Sequence, residues 1–464
     1  MPPPALQPGS LWPEIRRVLK LAVPVALAEL GWMSMTTIDT IMVGRLGPAA
    51  IGAIGIGNSV FYSFAIFGMG LLLGLDTLVS QSFGAGKRED CHHSLMQGIY
   101  LAFFLTPPLM ILFWALHTTF PALGIDPEVS RLSSAFLLTL SLSTLPLLLY
   151  GALRRYLQGI GHVRPVMFVL VSANLVNWFF NWLLILGHWG FPALGVTGSA
   201  LSTCLARVYM VAALFLFIWW YERKLKYSLA TLFRKPDLVR LRLLVRIGLP
   251  AATQILLEIA AFGSVGVLAG RLSQAALAAH QIALNCAALS FMVPLGTSSA
   301  AAIAVGQSIG AGEPRVARRA GFIAVAISCA FMTCSAAAFI WIPLPILRVY
   351  TSDHQVLAIG TGLLMLAACF QLFDGIQTVV TGALRGLGQT RIPMLVNLCG
   401  YWAIGLPLGY VLCFHYGYGV FGLWWGLTVS LIVIAIVLLI AWQRASRSIT
   451  QRIESRVSAG SGGR

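Results

Sequence analysis

Charged residues are scarce in this chain: they make up 10% of its 464 positions, whereas hydrophobic residues make up 58%. A soluble domain carries about 25% charged residues, so this chain could not cover a soluble surface. The apolar content excludes intrinsic disorder, and eight cysteines in so long a chain exclude a small disulfide-stapled module. The composition therefore predicts an all-α polytopic membrane protein.

Motifs for metal binding and for catalysis are also missing. Cys91, His92 and His93 are adjacent, but three neighbouring residues rarely share one ion, so we predict a solvated helix start there. The glycine-rich run at 55–60 lacks the last glycine of a dinucleotide-binding fingerprint, because Val60 stands in its place. The other seven cysteines lie in apolar stretches, where we interpret them as packing residues. We therefore predict neither an enzyme nor a cofactor.

Long apolar runs are what the chain has instead. A spanning helix needs about 20 apolar residues. The first run also contains acidic residues and is too long for a cleaved signal peptide, so we expect it to be retained. The sequence contains twelve candidate spans, at 18–43, 50–83, 94–116, 132–153, 165–187, 197–221, 247–270, 281–309, 320–347, 356–384, 394–414 and 420–443.

The basic residues indicate the orientation of these spans. Of the 31 lysines and arginines, 26 fall in the tails and even-numbered loops, 4 fall on the opposite side, and Arg207 lies inside a span. Because short cytoplasmic loops are rich in lysine and arginine, both termini are predicted to be cytoplasmic. The net charge of +16 is then explained by topology, and no nucleic-acid partner is expected.

The two halves of the chain resemble each other. Gly44-Arg45-Leu46 matches 270–272, and the segment at 81–86 matches 307–312, with an offset of 226 in each case. We therefore predict two pseudo-symmetric six-helix lobes in parallel orientation, with the substrate path between them. The predicted divisions are a cytoplasmic N-tail (1–17), an N-lobe (18–221), a cytoplasmic linker (222–246), a C-lobe (247–443) and a cytoplasmic C-tail (444–464).

Charged residues within the spans require a reason, because each costs at least about 2.5–3.5 kcal/mol to insert. The repeat offset puts Asp39 opposite Val265 and Glu258 opposite Trp32, so these acids are not part of the shared scaffold. We predict functional roles for Asp39, Glu258 and Asp374. Three other charged residues also lie within the spans. We expect Glu29 and Arg207 to neutralise each other, and Asp76 to reach water.

Three further polar residues lie at the depth of Asp39. With about 1.5 Å per residue, Asp39, Asn181 and Thr203 each lie about 8–9 Å below the outer surface. Asn177 is one turn from Asn181 on the same helix face. These oxygen-bearing groups suit a proton relay or a monovalent cation, and the alternative is a structural polar patch. Nearer mid-membrane, Glu258 and Asp374 could share a cation or a proton.

Some segments resemble those of the multidrug and toxic compound extrusion (MATE) family, closest to its bacterial NorM-type branch. The resemblance covers about 15–450. Together and in this order the segments are specific to the family. They are TTIDTIMVGRLG at 36–47, GLDTLVSQSFGAGKRED at 74–90, LVNWFFNWLLILGHWGFPALGVTGSALST at 175–203, LPAATQILLEIAAF at 249–262, AAHQIALN at 278–285 and FDGIQTVVTGALRGLGQTRIP at 373–393.

The resemblance implies export of bulky, often cationic or amphiphilic organic compounds by antiport with Na⁺ or H⁺. It implies a monomer in the bacterial inner membrane. The family's N-lobe acid falls on Asp39, with Asn177, Asn181 and Thr203 as partners. Its C-lobe acids fall on Glu258 and Asp374, where Na⁺ could bind. Some Na⁺-coupled members have a tyrosine where this chain has Phe370, so both ions stay open.

Two further predictions concern apolar and polar side chains within the spans. Apolar side chains could line a substrate cavity, and the alternative is contact with lipid or with the protein core; these are Phe64, Met69, Phe291, Met292 and Phe370. His280 is expected to be a hydrogen-bonded structural residue.

The alternatives to a drug exporter are a lipid-linked oligosaccharide flippase, a membrane-embedded enzyme and a channel. A flippase cavity would need several basic residues for the pyrophosphate, and only Arg207 lies in a span.

Overall fold

The computed structural model describes residues 12–224 and 235–461, and the side chains of all of these except 122–123 and 453–461. Parts of the predicted N-tail, linker and C-tail, at 1–11, 225–234 and 462–464, lie outside the described residues. Within the described ranges the chain is helical and forms no strand. The α-helices are α1 (Trp12–Gly44), α2 (Pro48–Leu71), α3 (Gly74–Gly84), α4 (Arg88–Leu116), α5 (Pro127–Ser141), α6 (Thr144–Gly159), α7 (Val163–Leu186), α8 (Val196–Lys224), α9 (Leu238–Gly270), α10 (Gln274–Gly310), α11 (Pro314–Trp341), α12 (Pro343–Arg348), α13 (His354–Gly386), α14 (Arg391–Asn397), α15 (Leu406–Tyr410) and α16 (Gly419–Ser461). A 3-10 helix covers His117–Leu123, and π-helical segments cover Leu398–Gly405 and Val411–His415.

Membrane spans account for most of these helices. In the described part of the chain, eleven helical stretches are long and apolar enough to cross a bilayer. The twelfth span is broken: α5 and α6 pass the same test together and are bent by 47° at their junction. This confirms the predicted all-α membrane fold with twelve spans in two six-helix lobes. The chain is a multi-pass membrane protein.

Local sequence signals explain where some helices begin. The carboxylate of Asp126 accepts hydrogen bonds from the backbone N–H groups of Glu128 and Val129, at 2.9 and 3.3 Å, and so caps α5. Pro127 follows at the first helical position, where its missing N–H costs nothing. Ser273 caps α10 in the same way. These caps satisfy backbone donors that have no partner inside the helix.

The helices form two compact units, each with its own core. One unit, called here the N-lobe unit, comprises Leu27–Phe83 and Lys87–Ala252. Its core includes the buried rings of Phe61 and Phe136. The other, the C-lobe unit, comprises the described residues within Met1–Ala26, Gly84–Gly86 and Thr253–Arg464, and its core includes Trp424.

Glycines allow helices to approach closely within each unit. In the N-lobe unit a Cβ at Gly248 would lie 1.9 Å from the backbone oxygen of Leu71. In the C-lobe unit a Cβ at Gly84 would lie 1.9 Å from the backbone oxygen of Gln307. Any side chain would separate these backbones. Packing between small residues is the usual means of helix association in lipid, where the hydrophobic effect contributes little between helices.

Large apolar side chains project outward from the spans. On α4, Phe104, Ile111 and Trp114 are between 63% and 69% exposed. In water, so much exposed apolar surface would drive aggregation, whereas acyl chains solvate it well. The exposed rings and aliphatic chains therefore fit a lipid environment.

Two predictions about histidines have opposite outcomes. His280 is buried and accepts a hydrogen bond at Nδ1 from Trp424 Nε1 at 3.0 Å, which confirms the structural role predicted for it. Cys91 and His92 lie at the start of α4, as predicted, but the prediction that they are solvated is wrong, because both side chains are buried. The end of α8 covers them, and His92 Nε2 lies 3.1 Å from Glu222 Oε1. None of the eight cysteines forms a disulfide.

Candidate functional site

In the N-lobe unit a buried carboxylate on α1 is surrounded by hydrogen-bond donors. Asn177 Nδ2 donates to Asp39 Oδ1 at 3.1 Å, and Asn181 Nδ2 donates to the same oxygen at 2.6 Å. Thr203 Oγ1 donates to Asp39 Oδ2 at 2.9 Å. All four side chains are buried. The structure thus brings together the four residues that the depth argument placed at one level, and we call them the N-lobe site.

Helix geometry explains why these residues meet. Asn177 and Asn181 are four residues apart on α7, so their side chains lie on one face. The antiparallel helix α8 lies close to α7, because a Cβ at Gly198 would be 2.6 Å from the backbone oxygen of Leu184. Thr203 follows little more than one turn later on α8 and reaches the same depth. The loop between α7 and α8 and the close contact at Gly198 therefore place the hydroxyl group of Thr203, the third donor, beside Asp39.

The donor set suits an ionised carboxylate. Three neutral donors stabilise the charge of Asp39 without cancelling it. The buried Oδ1 atom of Asn181 has no hydrogen-bond partner in the described structure. Asp39 can be neutralised by a proton on one of its oxygens. It can also be neutralised by a monovalent cation, if the amides of α7 rotate to present oxygen instead of nitrogen.

In the C-lobe unit two carboxylates share one amide donor. Gln377 Nε2 donates to Glu258 Oε1 at 3.1 Å and to Asp374 Oδ1 at 3.2 Å. Gln254 Nε2 donates to Glu258 Oε2 at 3.3 Å. Glu258 lies on α9, and Asp374 and Gln377 lie on α13. These four residues are called here the C-lobe site.

The two carboxylates repel each other when both are ionised. A cation or a proton that binds one of them therefore removes the repulsion that destabilises the charge on the other. The Oε1 atom of Gln377 is buried and has no hydrogen-bond partner in the described structure. If the amide of Gln377 turned to present this oxygen in place of its nitrogen, the oxygen and the two carboxylates would form an all-oxygen set of the kind that hard cations prefer. Neither glutamine is among the site residues predicted from the sequence. Their signal was spacing, since Gln254 precedes Glu258 by one turn and Gln377 follows Asp374 by one turn.

The residues predicted to line a substrate cavity have different environments. Phe370 is buried in the C-lobe core, with its ring centroid 5.6 Å from that of Trp424. Phe64 is exposed and contacts Phe113 edge-on. Met69, Phe291 and Met292 are partly buried. The structure places Phe370 as a core residue, and the cavity role of the other four stays a prediction.

The predicted pairing of Glu29 with Arg207 is wrong. Glu29 forms a buried ion pair with Arg154 on α6. Arg207 instead donates hydrogen bonds to the hydroxyl groups of Ser143 and Tyr62. The physical reason is the length of α6: the sequence predicts Arg154 in a cytoplasmic loop, whereas α6 continues to Gly159 and carries Arg154 into the lobe.

The prediction that Asp76 reaches water is also wrong. Its side chain is 1% exposed, and Arg155 Nη1 donates to its Oδ2 atom at 3.4 Å. The extension of α6 is again the cause, because it brings Arg155 beside α3. The N-lobe unit therefore contains two acidic residues, Glu29 and Asp76, that are paired with consecutive arginines.

Comparisons with known proteins agree with the arrangement of two similar halves. The family model described as MatE matches twice, at residues 24–183 and 250–411. A probable multidrug resistance protein NorM of Mesorhizobium japonicum is 35% identical over 454 residues, covering 96% of this chain and 97% of that protein. The multidrug resistance protein NorM of Burkholderia vietnamiensis is 36% identical over 448 residues and covers 95% of each chain.

Solved structures show the same fold. The crystal structure of the eukaryotic MATE transporter AtDTX14 superposes with a TM-score of 0.84 at 23% identity, covering 96% of this chain and 99% of that chain. The crystal structure of a MATE protein in the straight conformation gives a TM-score of 0.85 at 19% identity, with 94% and 97% covered. From the two matches to the family model and the near-full-length NorM relatives, the chain belongs to the MATE family of multidrug efflux transporters, in its NorM-type branch.

Proposed function

We propose that this transporter exports cationic or amphiphilic organic compounds in exchange for Na⁺ or H⁺ by alternating access. The observation that carries the proposal is the N-lobe site, where buried Asp39 accepts its hydrogen bonds from neutral side chains and forms no ion pair in the described structure. A carboxylate kept in such a setting can exchange one positive ligand for another. Glu258 and Asp374 supply a second exchange site in the C-lobe unit. The coupling ion neutralises these acids, lowers their affinity for the organic cation and biases the conformational equilibrium.

The cellular setting is part of the same proposal. We infer a monomer in the cytoplasmic membrane of a bacterium, with both termini on the cytoplasmic side. The distribution of basic residues supports this orientation, since 26 of 31 fall in the tails and even-numbered loops. The six-helix lobes at 18–221 and 247–443, joined by a linker at 222–246, are the proposed moving parts.

Neutralising the acids tests the exchange mechanism. Asp39→Asn and Asp374→Asn should each abolish resistance of drug-sensitive cells to ethidium, with membrane expression checked by immunoblot. Asp353→Asn is the matched control, because Asp353 is an exposed acid that caps α13 and asparagine caps a helix equally well. Full resistance in both site variants would refute the proposal. Ethidium efflux from proteoliposomes, energised separately by a Na⁺ or a pH gradient, identifies the ion.

A further inference from the structure

Arg207 is a buried arginine inside the N-lobe unit whose hydrogen-bond partners are neutral. Its side chain is 1% exposed. Nη1 donates to the hydroxyl of Ser143, and Nη2 donates to the hydroxyl of Tyr62 at 2.9 Å. The guanidinium carbon lies 4.9 Å from the ring centroid of Phe61, which gives a cation–π contact. Nε has no hydrogen-bond partner in the described structure.

Two other arginines of this unit, one buried and one partly buried, have an acid beside them. Arg154 pairs with Glu29, and Arg155 pairs with Asp76. In the part of the chain that the structure describes, no carboxylate lies within ion-pair distance of Arg207. An arginine in a membrane interior is costly and in most cases is paired or functional. The fold therefore maintains a positive charge here that no direct acidic partner explains.

The N-lobe site is the place where this charge acts. Arg207 follows Thr203 by four residues on α8, so both side chains lie on one face of the helix. Thr203 donates a hydrogen bond to Asp39 Oδ2 at 2.9 Å, so Arg207 lies one helical turn from a residue that contacts this acid, and its charge acts on Asp39 over that short distance. The other titratable groups around Arg207 in the described structure are Tyr62 on α2 and Cys204 on α8, and both residue types are neutral near pH 7. Ionised Asp39 and Arg207 thus sum to zero charge.

We propose that Arg207 is a positioning residue for ion coupling, a fixed positive charge that weakens the binding of the coupling cation at Asp39 and so speeds its release. The inference rests on the proposed function of Asp39. Binding of one H⁺ or Na⁺ takes the pair from zero to +1, whereas without Arg207 it would take the site from −1 to zero. The second step is more favourable, because no repulsion opposes the cation. A transporter that bound the ion too tightly would stall before the next cycle.

The test is the coupling-ion dependence of ethidium efflux in proteoliposomes, with the ion that energises the wild-type protein. Arg207→Met should lower the half-saturating ion concentration about tenfold, equivalent to about 1.4 kcal/mol, and should lower the maximal rate. Arg207→Lys keeps the charge and should restore both values. Arg131→Met is the matched control: it removes an exposed charge of the same unit, which water and salt screen.

A second variant covers the case in which Arg207→Met does not fold. Ser143→Asp leaves the arginine in place and puts an acid against its Nη1, which returns the net charge of the region to −1. It should lower the half-saturating ion concentration as Arg207→Met does, whereas Ser143→Asn, equal in size and uncharged, should not. Unchanged half-saturation in a folded Arg207→Met or Ser143→Asp protein overturns the inference. If Asp39→Asn retains full efflux, it is the proposed function itself that fails.

Discussion

The buried ion pair between Glu29 and Arg154 provides a direct measure of what an uncompensated charge costs inside this lobe. The Glu29 side chain is 11% exposed and the Arg154 side chain is 4% exposed. The same unit contains an ion pair near its surface, between Arg240 and Asp90, whose side chains are 34% and 32% exposed. Both pairs join an arginine to a carboxylate, and Arg240 also lies 3.8 Å from Asp237. A double-mutant cycle on each pair measures only the contact between its two partners, so burial is the main difference between the two cycles.

The expected magnitudes follow from that difference. Arg154→Met leaves Glu29 buried without its partner, and such a change costs about 3–5 kcal/mol of unfolding free energy. Glu29→Gln leaves the arginine unpaired, at a similar cost. The double variant removes both charges and should cost much less than the sum of the two single changes. For the surface pair, each single change should cost about 0–1 kcal/mol, because water and salt already solvate both partners.

The assay is denaturant-induced unfolding of the purified protein in detergent micelles, followed by tryptophan fluorescence. Two double-mutant cycles are measured, one for each pair, with Arg240→Met and Asp90→Asn as the surface changes. The coupling energy of the buried pair should exceed that of the surface pair by several-fold. Equal coupling energies would refute the reasoning, as would an Arg154→Met protein that is as stable as the wild type.

Three further substitutions test other contacts. Gln377→Leu removes the amide donor that the two C-lobe acids share and should abolish ethidium efflux while membrane expression is kept; normal efflux would show that this donor is dispensable. Gly248→Val places a side chain against the Leu71 backbone and should destabilise the N-lobe unit enough to lower the melting temperature in detergent; an unchanged melt would contradict the close approach. Phe370→Ala should cost about 3–5 kcal/mol, because the ring fills the core beside Trp424, and a loss of drug affinity without a loss of stability would instead indicate a cavity wall.

Much of the fold was predictable because a bilayer permits few backbone arrangements. A spanning segment must satisfy its own hydrogen bonds, so apolar length alone located the spans. The N-lobe site could also be predicted, because a constant rise per residue converts a position in the sequence into a depth in the membrane. Asp39 and Asn181 were placed at one level in this way, and the helical repeat added Asn177.

The contacts that the sequence did not predict depend on where helices end and on which face of each helix packs against its neighbours. The apolar run of the fourth span ends at 153 and predicts Arg154 and Arg155 to be loop residues, whereas α6 runs to Gly159. Depth alone then suggested Arg207 as the partner of Glu29. The direction in which a side chain points around a helix depends on packing between elements distant in sequence. A single sequence does not record that packing.

The π-helical turns at Leu398–Gly405 have a consequence for the evolution of the two halves. A π turn closes over one residue more than an α turn, so the side chains beyond Leu398 point in directions that a regular α-helix would not give them. The corresponding span of the first half, α7, is regular and presents Asn177 and Asn181 to its acid. The second half brings Tyr401 near Glu258 instead. After gene duplication the two copies have thus diverged in helical geometry as well as in side chains, and a chimera that exchanged these spans would change which side chains face the acid of each lobe.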